Sequence, residues 1–299
     1  MSGLRTLLEV VRAPAAVSVP GDTMAGAAAA GLRWNPGLAV ASTLLYWAGM
    51  ALNDWADRDA DAVERPERPI PSGRISPGRT LALAAGLTGA GLAAAALTGG
   101  RRGFALAGLL AGAVCAYDLG LKRTAAGPAA MAACRALDVL LGAGGRRRAW
   151  PTALAVGAHT YGISVLGRAE VKGASRGTVA AALTATAVAA TAAALATLRS
   201  SSPDLAAFRN ASAPASRVVA RAGGLVMVAG YLAVAVPAQA GLRTRPEPDR
   251  VRQAVRLGIL ALLPLQASAV AGAGRPAQAA ALLAAHPVGR RLSTRMATS

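Results

Sequence analysis

Long stretches without Asp, Glu, Lys or Arg alternate with short charged turns along this chain, and that alternation predicts its architecture. Uncharged apolar runs cover residues 34–53, 80–100, 103–117, 149–167, 177–198, 222–242 and 257–274. Each is near the roughly 20 residues that a helix needs to cross a bilayer. Two further runs are interrupted by charge: 13–32 holds Asp22, and 124–145 holds Arg135 and Asp138. Arg135 and Asp138 are three apart, so they share a helical face and are placed to neutralise each other. Counting both runs, the pattern predicts an all-α polytopic membrane bundle of about nine transmembrane helices, forming a single domain over residues 1–299. Ala and Gly are spread through every run, and small residues let helices approach closely in lipid. Residues 276–289 are short and carry His286 and Pro287, which reads as an extension of the ninth helix or an interfacial segment.

Composition sharpens the membrane reading. Of 299 residues, 54% are hydrophobic and 15% are charged, against about 25% charged in soluble domains. The net charge of +18 would suggest nucleic acid if Lys and Arg formed one basic face, but they sit in clusters between apolar runs. Four Trp, four Tyr and two Phe offer no platform for stacking bases. No nucleic acid partner is expected, and the cations read as charges flanking membrane lipid. Cys115 and Cys134 lie inside apolar runs, which indicates neither a disulfide framework nor a thiolate metal site. Glu9, Arg12, Pro14 and Asp22 interrupt what would be the apolar core of a signal peptide, so the start is expected to belong to the mature chain. The loops on the side of the second run's acidic end carry slightly more Lys and Arg, which places that side in the cytoplasm of a cell (inner) membrane.

Six of the 14 acidic residues lie between Asp54 and Glu67, in NDWADRDADAVERPERPIPSGRIS directly after the second run. If the helix continues past the membrane, Asp54, Asp57 and Asp61 share one face with Asn53, and Asp59 points away. Three carboxylates on one face repel and call for a cation. Oxygen ligands on a half-open face suit Mg²⁺, which keeps waters and bridges to phosphate oxygens. A solvated charged loop is the plain alternative. Elsewhere His159 reads as a packed interior histidine in preference to an acceptor-orienting one, and Asp118 after Tyr117 as an interfacial anchor. Asp22 sits mid-run, where a carboxylate needs a cavity or a partner. Zinc-ligand spacing, a nucleophile elbow and a phosphate-binding P-loop are all absent from the sequence.

The acidic segment resembles the first aspartate-rich motif of the UbiA superfamily of intramembrane prenyltransferases, and RPERPIPSGRIS resembles that family's Arg-Pro-Ile-Pro-Ser-Gly continuation. The likeness extends along the chain. VRAPAAVSVPGDTMAG is similar to the family's first helix, YDLGLKRT to its Tyr-rich, Lys-containing fourth-helix end, and CRALDVLLG to its fifth helix. The resemblance implies a nine-helix bundle that uses Mg²⁺ to bind an allylic diphosphate, ionise it and couple the carbocation to an acceptor. It implies Asp54, Asp57 and Asp61 as catalytic metal ligands together with Asn53, and Glu170 as a further catalytic carboxylate. It also implies substrate contacts from Asn53, Arg65, Arg68, Tyr117, Lys122, Arg123, Arg168, Lys172 and Asp22.

One stretch departs from the family. Its second aspartate-rich motif, after the sixth helix, corresponds here to HTYGISVLGRAEVKGASRG, which contains no Asp. Glu170 is the one carboxylate there, among Arg168, Lys172 and Arg176. These cations recur every four residues, so a continuing helix would present them as a basic stripe that contacts diphosphate directly, unless Gly173 ends it sooner; the plain alternative is a turn anchored to anionic lipid headgroups. The Arg-x-Glu pattern, Asp22 and Asp138 resemble the EboC-like branch of the superfamily. The expected activity is Mg²⁺-dependent transfer of an isoprenyl group from an isoprenyl diphosphate to an acceptor that the sequence does not name, with no obligate protein partner. The alternatives are a non-catalytic isoprenoid- or lipid-binding membrane protein and a small-solute transporter.

Overall fold

Proline and short polar caps set where many of the helices begin. Pro36, Pro77 and Pro248 each open a helix, where a missing backbone N–H costs nothing. Asn35 accepts a hydrogen bond from the Gly37 N–H at 3.0 Å, and Ser175 accepts one from the Thr178 N–H at 3.1 Å. The computed structural model describes residues 3–12, 18–200 and 213–284. Its helices are α1 (Gly3–Val10), α2 (Val19–Ala29), α3 (Pro36–Ala56), α4 (Arg58–Glu64), α5 (Pro77–Leu119), α6 (Gly127–Gly142), α7 (Trp150–Gly167), α8 (Arg176–Arg199), α9 (Ala213–Ala240) and α10 (Pro248–Gly272). Residues 276–284 are also helical, set off by Gly274 at φ +77°; His286 and Pro287 lie outside the described residues. No strand occurs among the described residues.

All nine apolar runs contain helix. Pro77–Leu119, Arg176–Arg199, Ala215–Arg243 and Pro248–Gly272 are long and apolar enough to cross a membrane by length and composition. The first of these is not one rod. Gly100 has φ +61° and ψ −156°, a backbone conformation closed to other residues, and the chain reverses there. Both arms of α5 then lie along α3. Leu38 packs at Gly99 and Gly103, Leu45 at Gly91, and Val114 of the second arm at Gly49. Leu38, Ala41 and Leu45 close a core with Ala95, Leu110 and Cys134. A second core joins α6 to α10 through Val139, Val156, Tyr231, Leu262 and Leu265.

The two halves are held together by α2. A Cβ on Gly26 would stand 1.9 Å from the Val139 carbonyl oxygen, and one on Gly142 would stand 2.1 Å from the Thr23 carbonyl oxygen. Backbones that close admit no side chain between them. Polar interior groups bridge the same elements: Arg135 Nε is 2.8 Å from Asp22, and Gln266 Nε2 donates to Asp22 Oδ1 at 2.7 Å. Arg135 therefore pairs across to α2, and Asp138 accepts from the Ser42 hydroxyl of α3. The expected Arg135–Asp138 neutralisation along one helix is not what forms: both carboxylates are fully buried, and Asp22 takes the guanidinium while Asp138 is met by the Ser42 hydroxyl. His159 is buried in the second core, its Nδ1 3.2 Å from the Tyr231 hydroxyl, as a packed interior histidine should be.

Gly26→Ala and Gly142→Ala should each lower the thermal stability of the detergent-solubilised chain, by overpacking worth about 1–3 kcal/mol. Gly112→Ala, whose new Cβ meets nothing within 4 Å, should leave the melting curve in place.

Candidate functional site

The acidic segment does not continue as one helix. α3 stops at Ala56, Asp57 takes φ −95° and ψ 2°, and α4 restarts at Arg58. This break sorts the carboxylates into two groups. Asp54 and Asp61, both 5% exposed, are joined by one guanidinium: Arg68 Nη1 lies 3.1 Å from Asp54 Oδ1 and 3.0 Å from Asp61 Oδ2. Arg12 Nη2 reaches the same Asp54 oxygen at 2.7 Å. Asp57 turns the other way, 2.7 Å from Lys122 Nζ and 2.8 Å from Arg123 Nη2. The expected single face of three carboxylates is therefore two plus one, and cations of the chain itself neutralise both parts. Asp59 does point away, its side chain 86% exposed.

These pairs gather distant segments at one end of the bundle. Arg12 ties α1 to α3, and Arg74 holds Glu9 of α1 from the loop after α4. Lys122 and Arg123, in the short 3-10 turn Leu121–Arg123, bind the α3–α4 break to the end of α5. Arg168 Nη1 donates to the Thr124 carbonyl at 2.6 Å, which brings the turn after α7 to the same place. Partial burial pushes the Asp57 carboxyl up, but hydrogen bonds and charge from Lys122 and Arg123 outweigh it and hold it below the ordinary carboxylate range. The link is therefore complete at neutral pH and is lost only as pH falls through that depressed value.

Next to these charges is a cavity of about 180 Å³, lined by Tyr46, Met50, Tyr117, Met131 and Cys134 with Arg12, Asn53 and Asp118 at its polar rim. Asn53 Nδ2 donates to Asp118 Oδ1 at 3.1 Å. Asp118 is 5% exposed and has no ion-pair partner among the described residues, so it is not the interfacial anchor expected of it. Its signal in the sequence was a carboxylate at the apolar end of a helix, four residues ahead of Lys122. Arg12 carried a weaker signal, a lone cation between an amphipathic start and the first apolar run. Neither stood out, because their partners come from elements far away in the chain.

Other expected site residues are placed less centrally. Arg65 is exposed with no side-chain partner among the described residues. Asp22 lies in the interior, engaged by Arg135 and Gln266, and not at the motif. Arg168, Lys172 and Arg176 do not form the expected basic stripe: α7 ends at Gly167, Gly173 adopts φ +84° against Pro246, and α8 begins at Arg176. The helix cannot continue through that glycine. Glu170 stands in this turn, where its carbonyl accepts from Arg252 Nη1 at 2.9 Å and its carboxylate forms no ion pair among the described residues. Neither Glu170 nor Lys172 lines the cavity.

Among the described residues no three His, Cys, Asp or Glu side chains gather closely enough to hold a metal as they stand. The donor chemistry nonetheless suits Mg²⁺. Asp54 and Asp61 offer hard carboxylate oxygens on either side of one cationic group, the Arg68 guanidinium, and so already bracket a position where positive charge sits.

The model of the UbiA prenyltransferase family matches residues 18–262, and the chain belongs to that family. Among curated relatives, the digeranylgeranylglyceryl phosphate synthase of Natronomonas pharaonis is 43% identical over 81 residues, 26% of this chain and 29% of that protein. The same enzyme of Ignicoccus hospitalis is 41% identical over 128 residues, 40% of either chain. The protoheme IX farnesyltransferase of Roseobacter denitrificans is 40% identical over 110 residues, 33% of this chain and 34% of that one. The matches thus span well under half the length of these relatives. A solved UbiA homolog from Aeropyrum pernix K1 shares the fold, with TM-score 0.62 and 19% identity over 85% of this chain and 96% of its own. A structure described for digeranylgeranylglyceryl phosphate synthase gives TM-score 0.61 at 16% identity, over 91% of this chain and 99% of its own. With this fold and its apolar helices, the chain is an integral membrane protein.

The sequence has two lysines, Lys122 and Lys172, so amine labelling read by mass spectrometry reports on the Asp57 link directly. Lys172 is exposed and should label several-fold faster than Lys122. In Asp57→Asn the two rates should converge.

Proposed function

We propose that this protein transfers an isoprenyl group from an allylic diphosphate to an acceptor inside the membrane, with the diphosphate held at the Asp54–Asp61 end of the bundle. The observation that carries the reading is the juxtaposition of carboxylates, unusually dense cations and an apolar cavity within one helix end. The family and the names of the relatives agree with it.

The residues divide the work. Asp54 and Asp61, with Asn53 and Asp57 adjacent, would hold Mg²⁺, which would supply positive charge to offset that of the diphosphate. Lys122, Arg123 and Arg168 face the same end and stabilise the charge that grows on the leaving diphosphate. As the allylic C–O bond breaks, its electron pair leaves with the diphosphate. The acceptor then supplies an electron pair to the allylic carbon and gives up a proton. Met50, Val114 and Met131 keep water from the cation during that interval. The Tyr46 and Tyr117 rings on the same wall offer π-faces to a passing positive charge. About nine membrane crossings and a cytoplasmic site complete this reading, supported by the two-armed α5 and the slight excess of cations on the motif side.

A second reading, a membrane protein that binds the isoprenoid without turning it over, is favoured by one observation. The turn after α7 presents Arg168 and Lys172 and one unpaired carboxylate, where the family carries its second pair of aspartates.

Mass spectrometry of products, after supplying the purified chain with Mg²⁺, allylic diphosphates of several lengths and a membrane extract, tests the first reading. A new prenylated species and released pyrophosphate are expected. Asp54→Ala or Asp57→Ala should lower the rate by about a hundredfold or more, the cost of removing preorganised charge stabilisation. Asp59→Ala should stay near wild type. Diphosphate binding without any product would favour the second reading.

A further inference from the structure

The opposite end of the bundle carries a cationic pocket that the proposed reaction does not use. α6 begins beside the Asp57 turn and delivers the chain, 16 residues later and so about 24 Å away at 1.5 Å per residue, to the turn before α7. There Arg147, Arg148 and Arg199 surround a cavity of about 520 Å³, walled by Ala28 and Ala196 and edged by Trp150. Arg12, Arg68, Lys122 and Arg123 are all engaged with carboxylates at the motif end. The three pocket arginines make no side-chain hydrogen bond or ion pair with any described residue, and no described carboxylate lies in the pocket wall. Unpaired like charges so close together repel one another and attract an anion.

We infer that this pocket binds the phosphodiester of an anionic phospholipid. The neighbouring surface favours a lipid over a free anion. Trp150 is 59% exposed, the behaviour of an interfacial aromatic. Leu154, 55% exposed, follows it one turn along α7, and Leu195, 41% exposed, precedes Arg199 by one turn on α8. Residues four apart on a helix share a face. Trp150 and Arg199 therefore each continue into an apolar side chain toward the middle of the bundle. A headgroup phosphate among the guanidiniums places its acyl chains on those leucines. Arginine forks suit phosphate oxygens, and their pairing is strengthened at the edge of a low-dielectric medium.

Native mass spectrometry of the full chain in a neutral detergent, titrated with phosphatidylglycerol or phosphatidylcholine, tests the inference. Phosphatidylglycerol should be retained preferentially, and Arg147→Gln, Arg148→Gln and Arg199→Gln should each weaken it by about tenfold, the value of one charge-assisted bond. Lys122→Gln, at the other end, should not change it, which separates this site from the diphosphate site and from the success of the proposed reaction. Circular dichroism confirms that each variant keeps its helices, and the three singles give independent chances of a folded variant. Equal retention of the two lipids, or phosphatidylglycerol retention unchanged in all three variants, would overturn the inference. So would displacement of the lipid by inorganic phosphate at equal concentration, which would leave a site for a small anion.

Discussion

Carboxylates at the edge of a membrane must be neutralised, and the way this chain neutralises Asp54, Asp57 and Asp61 organises everything around them. Removing one partner from such a pair leaves an uncompensated charge in a poor solvent, so the partners are effectively fixed. Arg68 fixes the loop after α4 over α3, because one of its nitrogens serves Asp54 and Asp61 together. Arg12 fixes the end of α1, and Lys122 with Arg123 fix the turn that follows α5. Four segments distant in sequence are thereby assembled around one cavity mouth. The interior repeats the principle once, where Arg135 of α6 meets Asp22 of α2.

Close packing supplies the complement. Neutralising pairs set which segments meet, but the apolar walls exist because glycines let backbones approach: Gly26 against Val139, Gly142 against Thr23, and Gly49 against Val114 beside the cavity. A bundle of this kind gains little from a hydrophobic drive between helices in lipid, so van der Waals contact and buried polar links carry the association. Under the proposed activity the same pairs acquire a second use. The cations that now satisfy the carboxylates are the groups a diphosphate would draw on, and the carboxylates are the groups a divalent ion would draw on. Substrate and metal would arrive at a site that is charge-balanced beforehand, with each partner exchanged for another of the same sign.

The sequence was most legible where the physics is local. Uncharged runs mark helices that are present where expected. The acidic segment announced itself through spacing, and Asp59 points outward as the helical period requires. Readings failed where a local rule met a distant partner. Asp54, Asp57 and Asp61 share a face only on an unbroken helix, and Asp57 leaves that helix to meet Lys122 and Arg123, 65 and 66 residues away. Arg135 and Asp138 are neighbours by period, yet Asp22 of the distant α2 takes the guanidinium and Ser42 of α3 meets Asp138. The stripe from Arg168 to Arg176 required a helix through Gly173, whose positive φ ends it. Asp118 was hidden for the converse reason: nothing near it in sequence shows that Asn53 packs onto it.

Titration of inorganic pyrophosphate into the 299-residue chain, by calorimetry with and without Mg²⁺, is the most direct test, since it needs neither the acceptor nor a particular prenyl length. Under the proposed activity, tight binding that requires Mg²⁺ and is lost in Asp61→Ala is expected, because a divalent ion held by Asp54 and Asp61 would free Arg68 for phosphate. Equal pyrophosphate affinity in the absence of Mg²⁺, or an Asp61→Ala variant that binds as wild type does, would contradict it.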